Sequence, residues 1–216
     1  MAERADRRFG ELPLPQTVAA AAAIRRLIGM LLSLEHPHPT VDAMLEQIGR
    51  WESDLAPALP TDPQPRMTGD SDDNRLYLQH AFAVGEFNPV FPIYRFDDIG
   101  PDAARGAVSF PLVYEGPPGL VHGGVLSAFF DCVIQHHSCA VGIAGKTREL
   151  AITYRRPTPL DTELAFDIER IHDERGITAT ARLTRDGEVL CTAVADTVAL
   201  PPERLAASRF GHRRPG

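Results

Sequence analysis

Apolar residues recur at three- and four-residue spacing early in the chain and again near its middle, whereas most of the last third alternates apolar with polar. The first pattern predicts helices and the second predicts strands. Between Thr17 and Leu34, an alanine-rich run carries Ile24, Leu27, Ile28, Leu31 and Leu32 on one stripe, and His36, Pro37 and Pro39 end it. A second amphipathic helix is expected from Thr40 to about Leu55, with Val41, Met44, Leu45, Ile48 and Trp51 at helical spacing and Thr40 as its cap. The pair reads as a lid or packing extension rather than a domain of its own. Pro57 to Asp73, rich in Pro, Asp and Ser, reads as an irregular linker.

Pro92–Asp97 and Arg105–Phe110 are short strand candidates, followed by a turn-rich segment from Glu115 to Gly119. A helix is expected to begin near Gly123. Leu126, Phe129, Phe130, Val133 and His137 fall on one apolar stripe of it, while Ser127, Asp131, Gln135 and Ser138 fall on another face. The period then changes to two, in Leu150, Ile152 and Tyr154, in Leu164, Phe166 and Ile168, and in Ala179, Ala181 and Leu183. Asp186–Gly187 offers a tight hairpin turn into Val189, Cys191, Ala193 and Ala195. Two strands, one long helix and four strands with short connections predict an α+β layer, an antiparallel sheet with a single helix packed on one face.

Composition narrows the function classes. The chain has 216 residues, 44% of them apolar, which suits one domain plus an extension. A formal charge of -7 argues against a broad nucleic-acid or anionic-lipid footprint. Val18 to Leu34, the most apolar stretch, is interrupted by Arg25 and Arg26, so no membrane span is expected there. Glu3, Asp6 and Glu11 dilute the charge a signal peptide needs, and Cys132, Cys139 and Cys191 form no paired motif. The expectation is a cytoplasmic protein with reduced thiols.

The chemistry concentrates in Gly119 to Asp131, which includes His122–Gly123–Gly124, followed by Thr147 and by Ile152 to Pro159 with its Arg155–Arg156–Pro157. A carboxylate nine residues after the histidine and a threonine sixteen residues after that carboxylate make the pattern specific. On these residues the stretch from about Phe87 to Leu200 resembles the hotdog-fold thioesterase superfamily, in its phenylacetate-pathway-like branch. The resemblance implies a sheet wrapped around the central helix, hydrolysis of an acyl-CoA thioester, and no metal or organic cofactor, coenzyme A being part of the substrate. It implies Asp131 as general base or nucleophile, amides at Gly123 and Gly124 as oxyanion donors, and Thr147 as holder of the water. His122 is open between a loop-fixing role and a substrate contact.

The helix N-terminus suits an oxyanion because its N–H groups are unpaired and its dipole end is positive. Gly124 and Asp131, however, are separated by about 10 Å along a helix rising 1.5 Å per residue. Both halves therefore meet one thioester only across a two-fold homodimer, with a homotetramer as a further possibility. Lys146, Arg155 and Arg156 are candidate contacts for the phosphates of coenzyme A, with solvated strand-end charges as the bland alternative. Gln135 and Phe130 are candidate substrate-side residues, and Phe129 and Trp51 candidates for setting acyl length.

Two departures from the resembled pattern stand out. Glu115 to Gly119 lacks the asparagine many relatives carry there, and Gln135 replaces the Ser or Thr that some branches place four residues after the carboxylate. The expected division is an extension and linker over residues 1–75, a hotdog domain over 76–200 and a tail over 201–216. The alternatives are a non-catalytic acyl-CoA-binding protein and, because Asp131 and His136 lie five apart, an enoyl-CoA hydratase.

Overall fold

A computed structural model describes residues 15–59, 83–141, 145–173 and 176–199. The expected domain boundary, most of the expected linker and the expected C-terminal tail lie outside these residues. Helix α1 spans Pro15–Leu32 and α2 spans Pro39–Leu55. Strands β1 (Tyr94–Ile99) and β2 (Ala103–Ser109) precede the central helix α3 (Gly123–Ala140). Strands β3 (Gly145–Tyr154), β4 (Glu163–Asp173), β5 (Gly176–Arg185) and β6 (Glu188–Ala199) follow it. They form one antiparallel six-stranded sheet in the order β1-β2-β4-β5-β6-β3. The α+β architecture matches the sequence reading.

Alternation decides which side of the sheet carries the core. Leu164, Phe166 and Ile168 of β4, Ile177, Ala179, Ala181 and Leu183 of β5, and Cys191, Ala193 and Ala195 of β6 are all buried. Helix α3 lays Leu126, Phe129, Phe130, Val133 and His137 against that face. Phe129 meets Tyr94, Phe110 and Phe166 edge-on with centroids 5.5–6.0 Å apart, the geometry aromatic quadrupoles favour. The outer face carries cross-strand ion pairs, Arg95 with Glu163 and Arg182 with Asp167 among them. The β5–β6 turn is the expected Asp186–Gly187 hairpin, both residues at positive φ (51° and 82°).

The structure corrects three local expectations. The cap of α2 is His38, whose side chain accepts from the Thr40 amide, with Pro39 as first helical residue. Ser138, expected on the Asp131 face, is buried. Most consequentially, the apolar stripe of α1 docks it only in part: Ile24, Leu31 and Leu32 are exposed, Leu27 and Ile28 are half-buried, and the two buried positions are Ala21 and Arg25. Helix α2 buries no residue, and its Leu45, Ile48 and Trp51 are exposed as well.

Arg25 docks α1 because its guanidinium supplies donors where the chain before β1 presents carbonyls. Its Nη2 donates to Gly85 O (2.6 Å), Asn88 O (2.9 Å) and Phe91 O (3.1 Å). Ala21, one turn earlier, is small enough to let the helix backbone come close. The buried Tyr114 hydroxyl, whose pKa burial raises, is held back by Arg25 beside it.

Replacing Arg25 with Met would leave three carbonyls without that donor. We expect Arg25→Met to cost about 2–4 kcal/mol of stability and to expose α1 to limited proteolysis while the sheet persists. Equal melting temperature and protease resistance in the variant would show that the guanidinium does not dock the helix.

Candidate active site

Helix α3 and the edge strand β3 run in opposite directions and are tied at two places. Near the start of α3, the Tyr154 hydroxyl donates to Gly123 O (2.9 Å) and lies 3.1 Å from Ser127 Oγ. A Cβ at position 123 would come within 3.1 Å of that hydroxyl, so glycine is what admits the ring. Two turns further on, Thr147 Oγ1 donates to Asp131 Oδ1 (2.8 Å), and Gln135 Nε2 donates to Thr147 Oγ1 (2.9 Å).

The polarity of this second tie follows from inventory. An ionised carboxylate only accepts, and a hydroxyl has one proton, so Thr147 spends its proton on Asp131 and Gln135 must present its NH₂. Thr147 keeps one lone pair. Asp131 is half-buried, off the apolar stripe and on the flank of α3 that faces β3.

At the helix N-terminus, His122 is the N-cap. Its Nδ1 accepts from Gly124 N (3.0 Å), while its carbonyl accepts from Val125 N (2.9 Å) and Leu126 N (3.2 Å). A neutral imidazole that accepts at Nδ1 carries its proton on Nε2. The Gly124 amide is therefore engaged, and the Gly123 amide is the one without a partner among the described residues. Gly123 lines a cavity of 390 Å³ together with Leu126, Tyr154, Arg155, Arg156 and Thr158, among others. Arg156 is paired with Glu188 at 2.9 Å, and Arg155 makes no ion pair among the described residues.

The chain as a whole was compared with known proteins. No protein-family model matches the sequence, and no curated protein does. Among solved structures, a thioesterase superfamily protein superposes with a TM-score of 0.68 at 25% identity, covering 84% of this chain and 94% of its own. The fold is the hotdog fold of the thioesterase superfamily. A coverage of 84% exceeds what the chain from residue 83 onward can supply, so that likeness extends into the N-terminal extension. A hypothetical thioesterase from Streptococcus pneumoniae, solved with coenzyme A, matches with a TM-score of 0.47 at 19% identity over 56% of this chain and 92% of that one. A putative thioesterase from Ralstonia eutropha, a phenylacetic acid degradation-related protein, matches with a TM-score of 0.43 at 20% identity, covering 50% and 84%.

Within this hotdog domain the structure assembles some of the sequence candidates and separates others. Asp131, Thr147 and Gln135 form one hydrogen-bonded group, and Gly123 joins Arg155 and Arg156 at the cavity. Lys146 lies at the far end of β3 from Arg155, about 30 Å away along an extended strand, so one chain cannot bring both to a single phosphate. Phe130 is fully buried and packed at 5.5 Å on Phe129, which places it in the core rather than on the cavity wall. Trp51 is exposed on α2.

Asp131 and His136 do not converge. His136 sits on the opposite flank of α3, its Nδ1 2.9 Å from the Tyr94 hydroxyl and its ring edge-on to Phe96 at 4.9 Å. His137 points elsewhere again, its Nε2 2.8 Å from Gly100 O. Burial pushes the Cys132 and Cys191 thiols up to about 11 and Cys139 up to about 12, so none is a thiolate at neutral pH. The Tyr94 hydroxyl contact was not legible in the sequence; an aromatic run beside a strand gives no sign that its partner is a histidine two elements away.

Burial, together with the adjacent His137, pushes His136 down to about 4 from the ordinary 6.5. Between these values the unfolded chain binds a proton that the folded chain refuses, so stability falls as pH drops from about 6.5 toward 4. His136→Gln keeps a partner for Tyr94 but does not titrate. It should remove about 2 kcal/mol of that acid destabilisation, allowing for solvent screening of the partly exposed ring. Chemical denaturation at a series of pH values reads the effect, and an unchanged slope in the variant would assign the acid limb to other groups.

Proposed function

We propose that the protein hydrolyses an acyl-CoA thioester to the free acid and coenzyme A, through a site shared by two copies of the chain. The observation that carries this reading is the 2.8 Å contact in which Thr147 donates to Asp131, on a hotdog helix whose N-terminal glycine lines a cavity with two arginines. The likeness over most of both chains to a thioesterase superfamily protein supports the same class of reaction.

The proposed chemistry follows from the donors and acceptors present. A water that gives one proton to the free oxygen of Asp131 and directs the other at the remaining lone pair of Thr147 has its own lone pair turned outward. That lone pair attacks the thioester carbonyl carbon as Asp131 takes the proton. Negative charge moves to the carbonyl oxygen, where the Gly123 amide and the positive end of a helix stabilise it. Collapse of the tetrahedral intermediate breaks the C–S bond and releases the thiolate of coenzyme A. Direct attack by Asp131, with hydrolysis of the resulting anhydride, uses the same geometry. Arg155 and Arg156, which line the cavity, would meet the phosphates.

A single copy cannot complete this site. Gly123 and Asp131 are about 12 Å apart along α3, too far for one thioester to touch both. The amide of one copy must serve the carboxylate of the other, which requires a homodimer with neighbouring antiparallel α3 helices.

Release of free thiol from short, medium, long and aryl acyl-CoAs tests the reading and supplies the acyl preference. Asp131→Asn should stay folded and lose at least about 100-fold in kcat on whichever substrate the native protein accepts. A fully active variant would remove Asp131 from the chemistry. Bound but uncleaved acyl-CoA across the panel would favour a binding protein, and an active monomer by sedimentation would overturn the shared site.

A further inference from the structure

We infer that Gln135 is a positioning residue that sets the direction of the Thr147 proton, rather than a contact for the substrate. This rests on the thioesterase reading and concerns how the same site orients its water. Gln135 lies one turn beyond Asp131 on α3, and its Nε2 reaches Thr147 Oγ1 at 2.9 Å while Thr147 reaches Asp131 Oδ1 at 2.8 Å. A threonine hydroxyl rotates freely about its C–O bond and has several acceptors to choose from. With an N–H donated to one lone pair, its proton is turned toward the carboxylate and its other lone pair is aimed at a fixed point. That point is where the water's second hydrogen must lie for its attacking lone pair to face the thioester.

The other end of the amide makes no hydrogen-bond contact that ties it to the fold among the described residues. Gln135 Oε1 is buried and has no hydrogen-bond donor among the described residues. An orphan buried acceptor is destabilising, and an apolar side chain of the same length would remove it without creating a new orphan other than the far lone pair of Thr147. A position selected for stability would carry such a side chain. Among the described residues only the nitrogen end of this amide is engaged, and it holds the Thr147 hydroxyl.

The experiment compares Gln135→Met and Thr147→Val, singly and together, using the acyl-CoA that the native protein hydrolyses best. Gln135→Met is expected to melt at the same temperature or higher, to keep KM, and to lower kcat about tenfold, as misdirection of a reacting group does. In the Thr147→Val background it should cost nothing further, because the hydroxyl it acts through is gone. A raised KM at unchanged kcat would make Gln135 a substrate contact and overturn the inference. So would an undiminished loss in the Thr147→Val background, or a fall in melting temperature that accounts for the lost activity.

The side-chain amide of Gln135, followed by NMR in the substrate-free protein, reads the contact without any turnover. Its hydrogen-bonded proton should shift upfield in Thr147→Val, and no shift would end the inference whatever the kinetics. An intact signature in a protein that releases no thiol from any acyl-CoA would sink the thioesterase reading instead.

Discussion

The site depends on one irregularity in an edge strand. Side chains on a strand alternate, so Thr147 and Tyr154, seven positions apart, would ordinarily point to opposite faces of the sheet. Both reach α3. The β3–β6 register explains how, since Thr147 pairs with Thr197 and Glu149 with Asp196, which leaves Arg148 as an extra residue in the ladder. This β-bulge changes the parity of the strand once. Thr147 before it and Leu150, Ile152 and Tyr154 after it then share the face toward the helix. Arg148 itself turns outward and pairs with Asp196.

That change of parity is what lets one strand serve both ends of one helix. Tyr154 fixes the first turn, where the Gly123 amide is open, and Thr147 fixes the turn that carries Asp131. The interior behind them is aromatic and closely packed, with Phe129 and Phe130 fully buried, so α3 has little freedom to slide. The donor end and the acceptor end of the chemistry are thereby held at a fixed separation too long for one thioester. In the mechanism proposed for the site, the same rigidity that orients each half makes assembly of two copies part of that mechanism.

The extension is attached by a different physical logic. Hydrophobic stripes ordinarily dock helices, yet α1 is held by a guanidinium in a cage of three carbonyls, and most of its large apolar side chains remain exposed. A polar contact of this kind is directional. It specifies one seat for the helix, whereas a greasy stripe against a greasy surface permits several. Arg25 in the sequence argued against a membrane span; in the structure the same charge is what binds the helix to the domain.

The long apolar stripe of α3, the alternation of β4 to β6 and the Asp186–Gly187 turn were legible because each is a local pattern repeated over many residues. Asp131, Gly123 and Thr147 stand out by resemblance, through their spacing, and the structure brings Thr147 into contact with Asp131. What escaped were single residues whose role is set by something distant in sequence. The burial of Arg25 is decided by carbonyls sixty or more positions later. The engagement of Gly124 depends on the rotamer of His122, although a histidine just before a helix start is also a cap signal. The bulge left a trace that could have been used: if Thr147 and Tyr154 were both to face α3, the odd interval between them already demanded one extra residue. Distance from Asp131 singles out Thr147 and alternation with Leu150 and Ile152 singles out Tyr154, and only the requirement that both meet the same helix is incompatible with a regular strand.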